Sequence, residues 1–190
     1  MSDAQAAPGF AVTADLLGAD FFTLLGLPKQ FELNTAALDD RFRQLQREVH
    51  PDRFAAADDA ARRASMMLAT QINAAYQTLR SPLKRASYLL EQDGIDIGAE
   101  SNTAMSPDFL MSQMMWREQV ADARSAKNLS ELERLQTEIA DDIRDAYSDL
   151  AHLLDQEKQP QQAVEGVRRL MFLEKLREEI ENAIYALEDL

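Results

Sequence analysis

Apolar residues recur at helical spacing in two neighbouring stretches of the chain. Each stripe repeats every three or four residues, which is the pattern of an amphipathic helix. The stripes comprise Leu38, Phe42, Leu45 and Val49 in the first stretch and Leu68, Ile72, Ala75 and Leu79 in the second. Pro51 cannot continue a helix, and it disfavours helical backbone at His50. The pattern therefore predicts an antiparallel helical hairpin with the run His50-Pro51-Asp52 at its exposed tip.

A shorter helix is predicted on each side of this hairpin. The hairpin and the two short helices form a predicted unit over residues 20–92. Residues 20–26 form the first, with Gly26 as its C-cap, because glycine adopts the left-handed conformation that ends many helices. Ser81-Pro82 places a proline at the first helical position of the second, which ends near Gly94. Residues 1–19 lack periodicity and basic residues, so they are interpreted as a flexible leader.

Three long helices are predicted over residues 106–190. Ser106-Pro107 opens the first, the capping box Ser130-x-x-Glu133 opens the second, and Gln159-Pro160 separates the second from the third. Short connections make neighbouring helices antiparallel, so these segments predict a three-helix bundle. Residues 93–105 contain two glycines and no helical pattern, and they are interpreted as a linker. The predicted fold class is therefore all-α.

The net charge of −13 is concentrated in the second half of the chain. Residues 20–92 hold ten Lys or Arg and nine Asp or Glu, whereas residues 93–190 hold ten and 22. Phosphate contacts need clustered cations, so this balance argues against a nucleic-acid partner. No run of about 20 apolar residues is present to span a membrane. The absence of cysteine excludes disulfides and cysteine-bound metal clusters, and it suits a cytoplasmic protein.

The chain offers no arrangement that predicts enzymatic chemistry. It has no glycine-rich phosphate loop and no nucleophile beside a base. Its two histidines, His50 and His152, fall in separate predicted units, so a shared metal site is disfavoured. We therefore expect neither catalytic activity nor a cofactor or bound metal.

The first bundle helix carries more apolar residues than one core-facing stripe needs. The face suited to the core consists of Phe109, Trp116, Val120 and Ala123. The opposite side carries Leu110, Met111, Met114 and Met115. Two interpretations are open: this methionine-rich side is an exposed surface for a partner, or the helix is buried on both sides. Phe172 on the last helix lies beside its core stripe and would reach the same surface.

Basic residues surround the predicted tip of the hairpin. Arg43 and Arg47 are four residues apart on the outward side of the first helix, Arg41 flanks them, and Arg53 follows the tip. A basic helix that ends in His-Pro-Asp resembles the J-domain of DnaJ-type co-chaperones. In that family the tripeptide and the basic face stimulate the ATPase of a DnaK-type chaperone. The resemblance implies that the chaperone is bound by His50, Pro51, Asp52, Arg41, Arg43, Arg47 and Arg53.

An N-terminal J-domain followed by an acidic three-helix bundle resembles the HscB-type co-chaperones of iron–sulfur cluster assembly. The similarity covers about residues 20–190 and includes the strings Phe22-Thr23-Leu24, His50-Pro51-Asp52-Arg53-Phe54, Phe109-Leu110-Met111 and Val167-Arg168-Arg169-Leu170. In that family the bundle binds a scaffold protein of the IscU type, and the J-domain presents it to the chaperone HscA. The scaffold-binding residues of the family fall here on Leu110, Met111, Met114 and Phe172.

Three positions depart from these families. Val49 stands where J-domains often carry an aromatic residue, Arg53 where HscB-type proteins usually have lysine, and Met114 where leucine is common. The resemblance implies a co-chaperone that delivers an IscU-type scaffold to a DnaK/HscA-type partner and stimulates its ATPase. The alternatives are a J-protein that serves another client, or a passive helical adaptor in which the tripeptide is only a turn.

Overall fold

The computed structural model describes residues 14–54, 57–98 and 105–188, and within them the regular secondary structure consists of helices without strands. The elements are α1 (Ala14–Leu17), α2 (Phe21–Leu25), α3 (Thr35–Glu48), a 3₁₀ turn (Pro51–Phe54), α4 (Asp59–Arg80), α5 (Pro82–Gln92), α6 (Pro107–Ser125), α7 (Leu129–Ala151), a π-helical turn (His152–Gln156) and α8 (Pro160–Glu188). The chain forms two compact units, Met1–Arg85 and Ala86–Leu190, and the division falls inside α5. The predicted all-α fold class is confirmed.

The helices α3 and α4 form the hairpin that the apolar stripes predict. The hydroxyl of Ser65, near the start of α4, donates to the carbonyl oxygen of Val49 at the end of α3. The hydroxyl of Tyr76, near the end of α4, donates to Asp39 near the start of α3, so the two helices are antiparallel. Phe42 is half-buried and stacks on Tyr76. The other stripe residues are all buried: Leu38, Leu45, Val49, Leu68, Ile72, Ala75 and Leu79.

Polar and glycine caps mark the start of α3 and the end of α2, and the cap at Gly26 is the one that the sequence predicts. At the start of α3, Asn34 Oδ1 accepts the N–H of Ala37 at 3.1 Å. Gly26 follows α2 with a φ of +64°, and the Leu27 N–H donates to the Phe22 carbonyl at 2.9 Å. A side chain at Gly26 would be strained by this backbone conformation, which favours glycine.

The predicted leader differs from the structure at its C-terminal end. Ala14–Leu17 form α1, and Gln71 Nε2 donates to the carbonyl oxygen of Ala19 at 3.2 Å. A helix of four residues is too short to show periodicity, and contact with α4 holds it in place. Residues 1–13 of the predicted leader lie outside the described residues.

The predicted linker also carries tertiary contacts at its N-terminal end. Ile95 and Ile97 are buried, and Arg168 Nε on α8 donates to the carbonyl oxygen of Ile97 at 2.6 Å. Residues 93–98 are therefore packed as an extension of the second unit, although they have no helical pattern. Residues 99–104 lie outside the described residues.

The helices α6, α7 and α8 form the predicted three-helix bundle within the second unit. The buried core of α7 consists of Leu132, Leu135, Ile139, Ile143, Ala146 and Leu150. That of α8 consists of Ala163, Val167, Leu170, Leu173, Leu176, Ile180 and Ala183. Leu153, which follows Leu150 at helical spacing, is only half-buried. The π-helical turn at this point has a wider winding, so it changes the direction in which side chains point.

The capping box predicted at Ser130 is wrong. The helix α7 begins one residue earlier, at Leu129, and Asn128 is its N-cap. Asn128 Oδ1 accepts the N–H of Glu131 at 3.2 Å. Asparagine caps a helix as well as serine does, so local composition does not distinguish the two positions.

A polar cluster joins α3 and α4 at the end of the hairpin opposite the turn. The Tyr76 hydroxyl and the Arg80 guanidinium both donate to Asp39 Oδ1, at 2.9 and 2.5 Å. These two hydrogen bonds hold the pKa of Asp39 below its usual value, and the bond from Tyr76 has the larger effect.

Asp39→Asn is expected to lower the melting temperature at neutral pH but not at strongly acidic pH. Because the folded pKa of Asp39 lies below its ordinary value of 3.8, the stabilisation is complete above that value. It is lost as the pH falls through the folded pKa. When melting curves are recorded from about pH 7 down to about pH 2, the melting temperatures of the variant and the wild type should therefore become equal at the acidic end. A gap that stays constant with pH would show that Asp39 acts without its charge.

Candidate functional site

The run His50-Pro51-Asp52 lies at the exposed end of the hairpin, as the sequence predicts. The Arg53 N–H donates to the His50 carbonyl at 3.0 Å, which closes the 3₁₀ turn. The Asp52 N–H donates to His50 Nδ1 at 3.3 Å. The side chains of His50 and Asp52 are 59% and 91% exposed. We call this segment the His50–Asp52 turn; it offers an imidazole and a carboxylate to a partner.

A cationic groove runs beside this turn. It is lined by Arg43, Gln46, Arg47, His50 and Arg53. The helix α3 supplies the first three of these residues on its outward side, and the segment that follows α3 supplies His50 and Arg53. Arg43 pairs with Asp40 on its own helix, and Gln46 donates to Asn73 on α4. The structure thus brings three of the predicted basic residues together with the histidine.

Arg41 lies apart from this cationic groove. Its Nε donates to the Leu25 carbonyl at the end of α2, and its Nη1 donates to Gln44 Oε1. A Cβ added at Gly26 would lie 3.3 Å from Arg41 Nε, which shows how closely this side chain covers the end of α2. Arg41 therefore caps a helix within the first unit, where a cation is favoured by the helix dipole.

The methionine-rich side of α6 is exposed. Met111, Met114 and Met115 are 63%, 73% and 56% exposed, whereas Leu110 is half-buried. Phe109, Val120 and Ala123 on the opposite side are buried. The exposure is what the first of the two interpretations requires, and the binding of a partner there stays a prediction. We call Leu110, Met111, Met114 and Met115 the methionine face.

Phe172 on α8 belongs partly to the core and partly to the surface. Its ring lies 5.7 Å from that of Phe109 and 6.1 Å from that of Trp116, measured between centroids. The guanidinium of Arg117 lies over the same ring at 5.5 Å. These neighbours leave Phe172 half-buried. Its ring is therefore packed on one side against aromatic partners, whereas the methionines are largely exposed.

The two histidines have different surroundings. His50 Nδ1 faces the backbone of Asp52, whereas His152 lies 2.9 Å from Gln156 Oε1 and 3.0 Å from Glu157 Oε1 through its two ring nitrogens. Each histidine is thus bonded to its own sequence neighbours, and the two lie in different units.

Sequence reasoning missed Ser65, which is the buried partner of the Val49 carbonyl next to the turn. The available signal was spacing, because Ser65 precedes Leu68 by three residues and extends the apolar stripe of α4 by one position. A small polar residue at a core-facing position indicates a buried hydrogen bond.

Comparisons with known proteins agree with both units. The family model described as the DnaJ domain matches residues 20–88, and that described as the HSCB C-terminal oligomerisation domain matches residues 105–181. A protein of Paraburkholderia xenovorans named "Co-chaperone protein HscB homolog" is 53% identical over 173 residues, covering 91% of this chain and 98% of its own. This chain belongs to the HscB family of co-chaperones.

Two solved HscB structures share the fold. The chaperone HscB from Vibrio cholerae is 38% identical, with a TM-score of 0.78 over 89% of this chain and 99% of its own. The human co-chaperone protein HscB is 27% identical, with a TM-score of 0.81 over 87% of this chain and 82% of its own. The HscB-family chain thus consists of a J-domain, which holds the cationic groove, and a C-terminal helical domain, which holds the methionine face. Co-chaperones of this family are not classed as enzymes.

None of the helices in the described ranges combines the length and the apolar character that crossing a membrane would require.

Truncation of the methionine face is expected to affect stability differently from truncation of the core. Met111→Ala with Met114→Ala should lower the free energy of unfolding by less than about 1 kcal/mol, because exposed side chains leave no cavity. Leu135→Ala, a fully buried control on α7, should cost about 2–5 kcal/mol. Phe172→Ala should fall between the two, because its ring is half-buried against aromatic partners.

Urea unfolding of the full chain, followed by circular dichroism, measures these differences. If the double methionine variant loses as much free energy of unfolding as Leu135→Ala, the methionine face is packed and is not available to a partner.

Proposed function

We propose that this chain stimulates the ATPase of a chaperone of the DnaK/HscA (Hsp70) type through the cationic groove. The observation that carries the proposal is the convergence of Arg43, Arg47, Arg53 and His50 on one groove of a J-domain. Three guanidinium groups produce a positive field that attracts an acidic surface and steers its approach. His50 and Asp52 then add hydrogen bonds whose directions are set by the turn.

Stimulation requires that the groove bind one state of the chaperone better than another. A partner accelerates a reaction only by binding its transition state, or the conformation that leads to it, more tightly than the resting state. A turn whose backbone is held by internal hydrogen bonds suits this role, because it is organised before binding. The exposed imidazole of His50 is the group that we expect to distinguish the two states.

The second part of the proposal concerns a client. We propose that the methionine face, together with Phe172, binds a scaffold protein of the IscU type during iron–sulfur cluster assembly. Exposed thioether side chains adapt to the shape of an apolar partner surface, and Phe172 supplies a rigid anchor between them. Apolar surface removed from water contributes roughly 25 cal/mol per Å² to such a contact.

The two activities belong together because they lie on one chain. A client held by the second unit is delivered to the chaperone at the effective concentration that a covalent connection gives. We assign chaperone binding to a unit of residues 20–92, client binding to the bundle of residues 106–190, and the connection to residues 93–105, of which 93–98 pack on the second unit. The proposal includes a cytoplasmic location.

His50→Gln is expected to abolish stimulation of the chaperone ATPase and to leave the melting temperature nearly unchanged. The side chain is exposed, so its loss removes little packing, whereas glutamine cannot reproduce the ring. Steady-state ATP hydrolysis by a DnaK/HscA-type chaperone, with and without the full chain, provides the measurement.

His152→Gln is the matched control, because it makes the same substitution at the other exposed histidine of the chain. It should stimulate as well as the wild type. Full stimulation by His50→Gln would contradict the proposed activity and favour a passive adaptor.

Met111→Ala with Met114→Ala is expected to weaken binding to an IscU-type scaffold while ATPase stimulation is retained. Each residue that acts as a hot spot contributes about 2 kcal/mol, which corresponds to roughly a 30-fold change in Kd. Met66→Ala with Met67→Ala is the matched control, since those methionines of α4 are 62% and 61% exposed in the other unit. Isothermal titration of the scaffold measures both.

Equal scaffold binding by the two double variants would contradict the client assignment. If the wild type stimulates the chaperone but binds no IscU-type scaffold, the chain is a J-protein for another client.

A further inference from the structure

Ser65 is a buried polar residue in the core of the J-domain. It is 0% exposed, and within the described ranges the other polar or charged residue buried to a similar degree is Arg85. Its hydroxyl donates to the carbonyl oxygen of Val49 at 2.7 Å, across 16 positions of sequence. Val49 is the C-cap of α3 and directly precedes His50. Ser65 thus makes a hydrogen bond between α4 and the peptide that leads into the His50–Asp52 turn.

The Val49 carbonyl depends on this bond because the turn offers it no donor. Pro51 has no N–H, and the Asp52 N–H is directed to the His50 ring. The Arg53 N–H donates to the His50 carbonyl instead of to Val49. A carbonyl at the end of a helix that is buried beside a core residue needs a partner. The Ser65 hydroxyl is the partner that the fold provides.

The bond sets the direction of the peptide between Val49 and His50. The Val49 N–H donates to the Leu45 carbonyl at 3.0 Å, and its side chain is 1% exposed. With its N–H, side chain and carbonyl all held, Val49 has little freedom to rotate. His50 follows at once, so the direction in which the imidazole leaves the backbone is set by the same bond.

We propose that Ser65 is a positioning residue, which holds the His50–Asp52 turn in the conformation that stimulates the chaperone. The inference rests on the proposed function. It adds a residue that touches no partner but sets the position of His50, which does. Ser65 is 0% exposed, so its effect on the chaperone passes through the Val49 carbonyl and the His50 backbone.

If Ser65 has only a structural role, the expected result is different. Removing the hydroxyl would then lower stability and leave the activity of the folded protein unchanged. Ile72→Val is the matched control for that case, because it removes one buried methyl group from α4, two turns beyond Ser65. It lowers stability without touching the turn.

The experiment compares Ser65→Ala, Ile72→Val and the wild type as full chains, below their melting temperatures. Two quantities are measured: the chaperone ATPase rate across a range of co-chaperone concentrations, and the proton NMR signals of the histidine rings. The chain has two histidines, and the His50→Gln variant identifies the signals of His50. His152 provides an internal reference in the other unit.

Ser65→Ala is expected to lower the maximal stimulation about fivefold or more, because an unpaired buried carbonyl forces the turn to rearrange. The His50 ring signals should shift or broaden while those of His152 stay in place. Ile72→Val should change neither quantity. Ser65→Cys has a similar size but a weaker donor, so it should lie between the wild type and Ser65→Ala.

Wild-type stimulation and unchanged His50 signals in Ser65→Ala would overturn the inference and leave Ser65 with a structural role. If Ser65→Ala does not fold, Ser65→Cys decides in the same way through the same two quantities. A wild type that fails to stimulate any DnaK/HscA-type chaperone contradicts the proposed function instead. The His50 signals then still decide whether Ser65 holds the turn.

Discussion

The apolar contact between α3 and α4 is the constraint on which the cationic groove depends. Arg43 and Arg47 lie on the outward side of the same helix whose inward side holds Leu45 and Val49. Burial of each large apolar side chain contributes about 1.5–3 kcal/mol, whereas an exposed ion pair contributes about 0–1 kcal/mol. The core therefore decides how α3 is rotated about its axis, and the arginines take the positions that this rotation gives them.

The two candidate sites use different physical forces. The groove is built from exposed charges, which act over distance, are weakened by salt, and favour rapid and selective encounter. The methionine face is built from exposed apolar groups, which act at contact and contribute mainly to the lifetime of a complex. Under the proposed function, this division lets the contact with the chaperone and the contact with the client respond to different conditions.

Much of the fold follows from the sequence because its signals are local. The stripe from Leu38 to Val49, the Asn34 cap and the left-handed Gly26 each depend on neighbours within a few residues. The packing of Ile97 under Arg168, the position of Arg41 over α2 and the bond from Ser65 depend on residues that are distant in sequence. Exposure of the methionine face was likewise undecided, because periodicity shows that a second apolar side exists and not what covers it.

Trp116 places a fluorescent side chain beside the methionine face. It is the one tryptophan of the chain, it follows Met115 directly, and its ring is stacked near that of Phe172. Its indole N–H also lies 3.4 Å from Glu138 Oε1 on α7. Indole emission responds to the polarity and the packing around the ring. The chain therefore carries an intrinsic fluorescent probe at the edge of this face, so events there are visible without a chemical label.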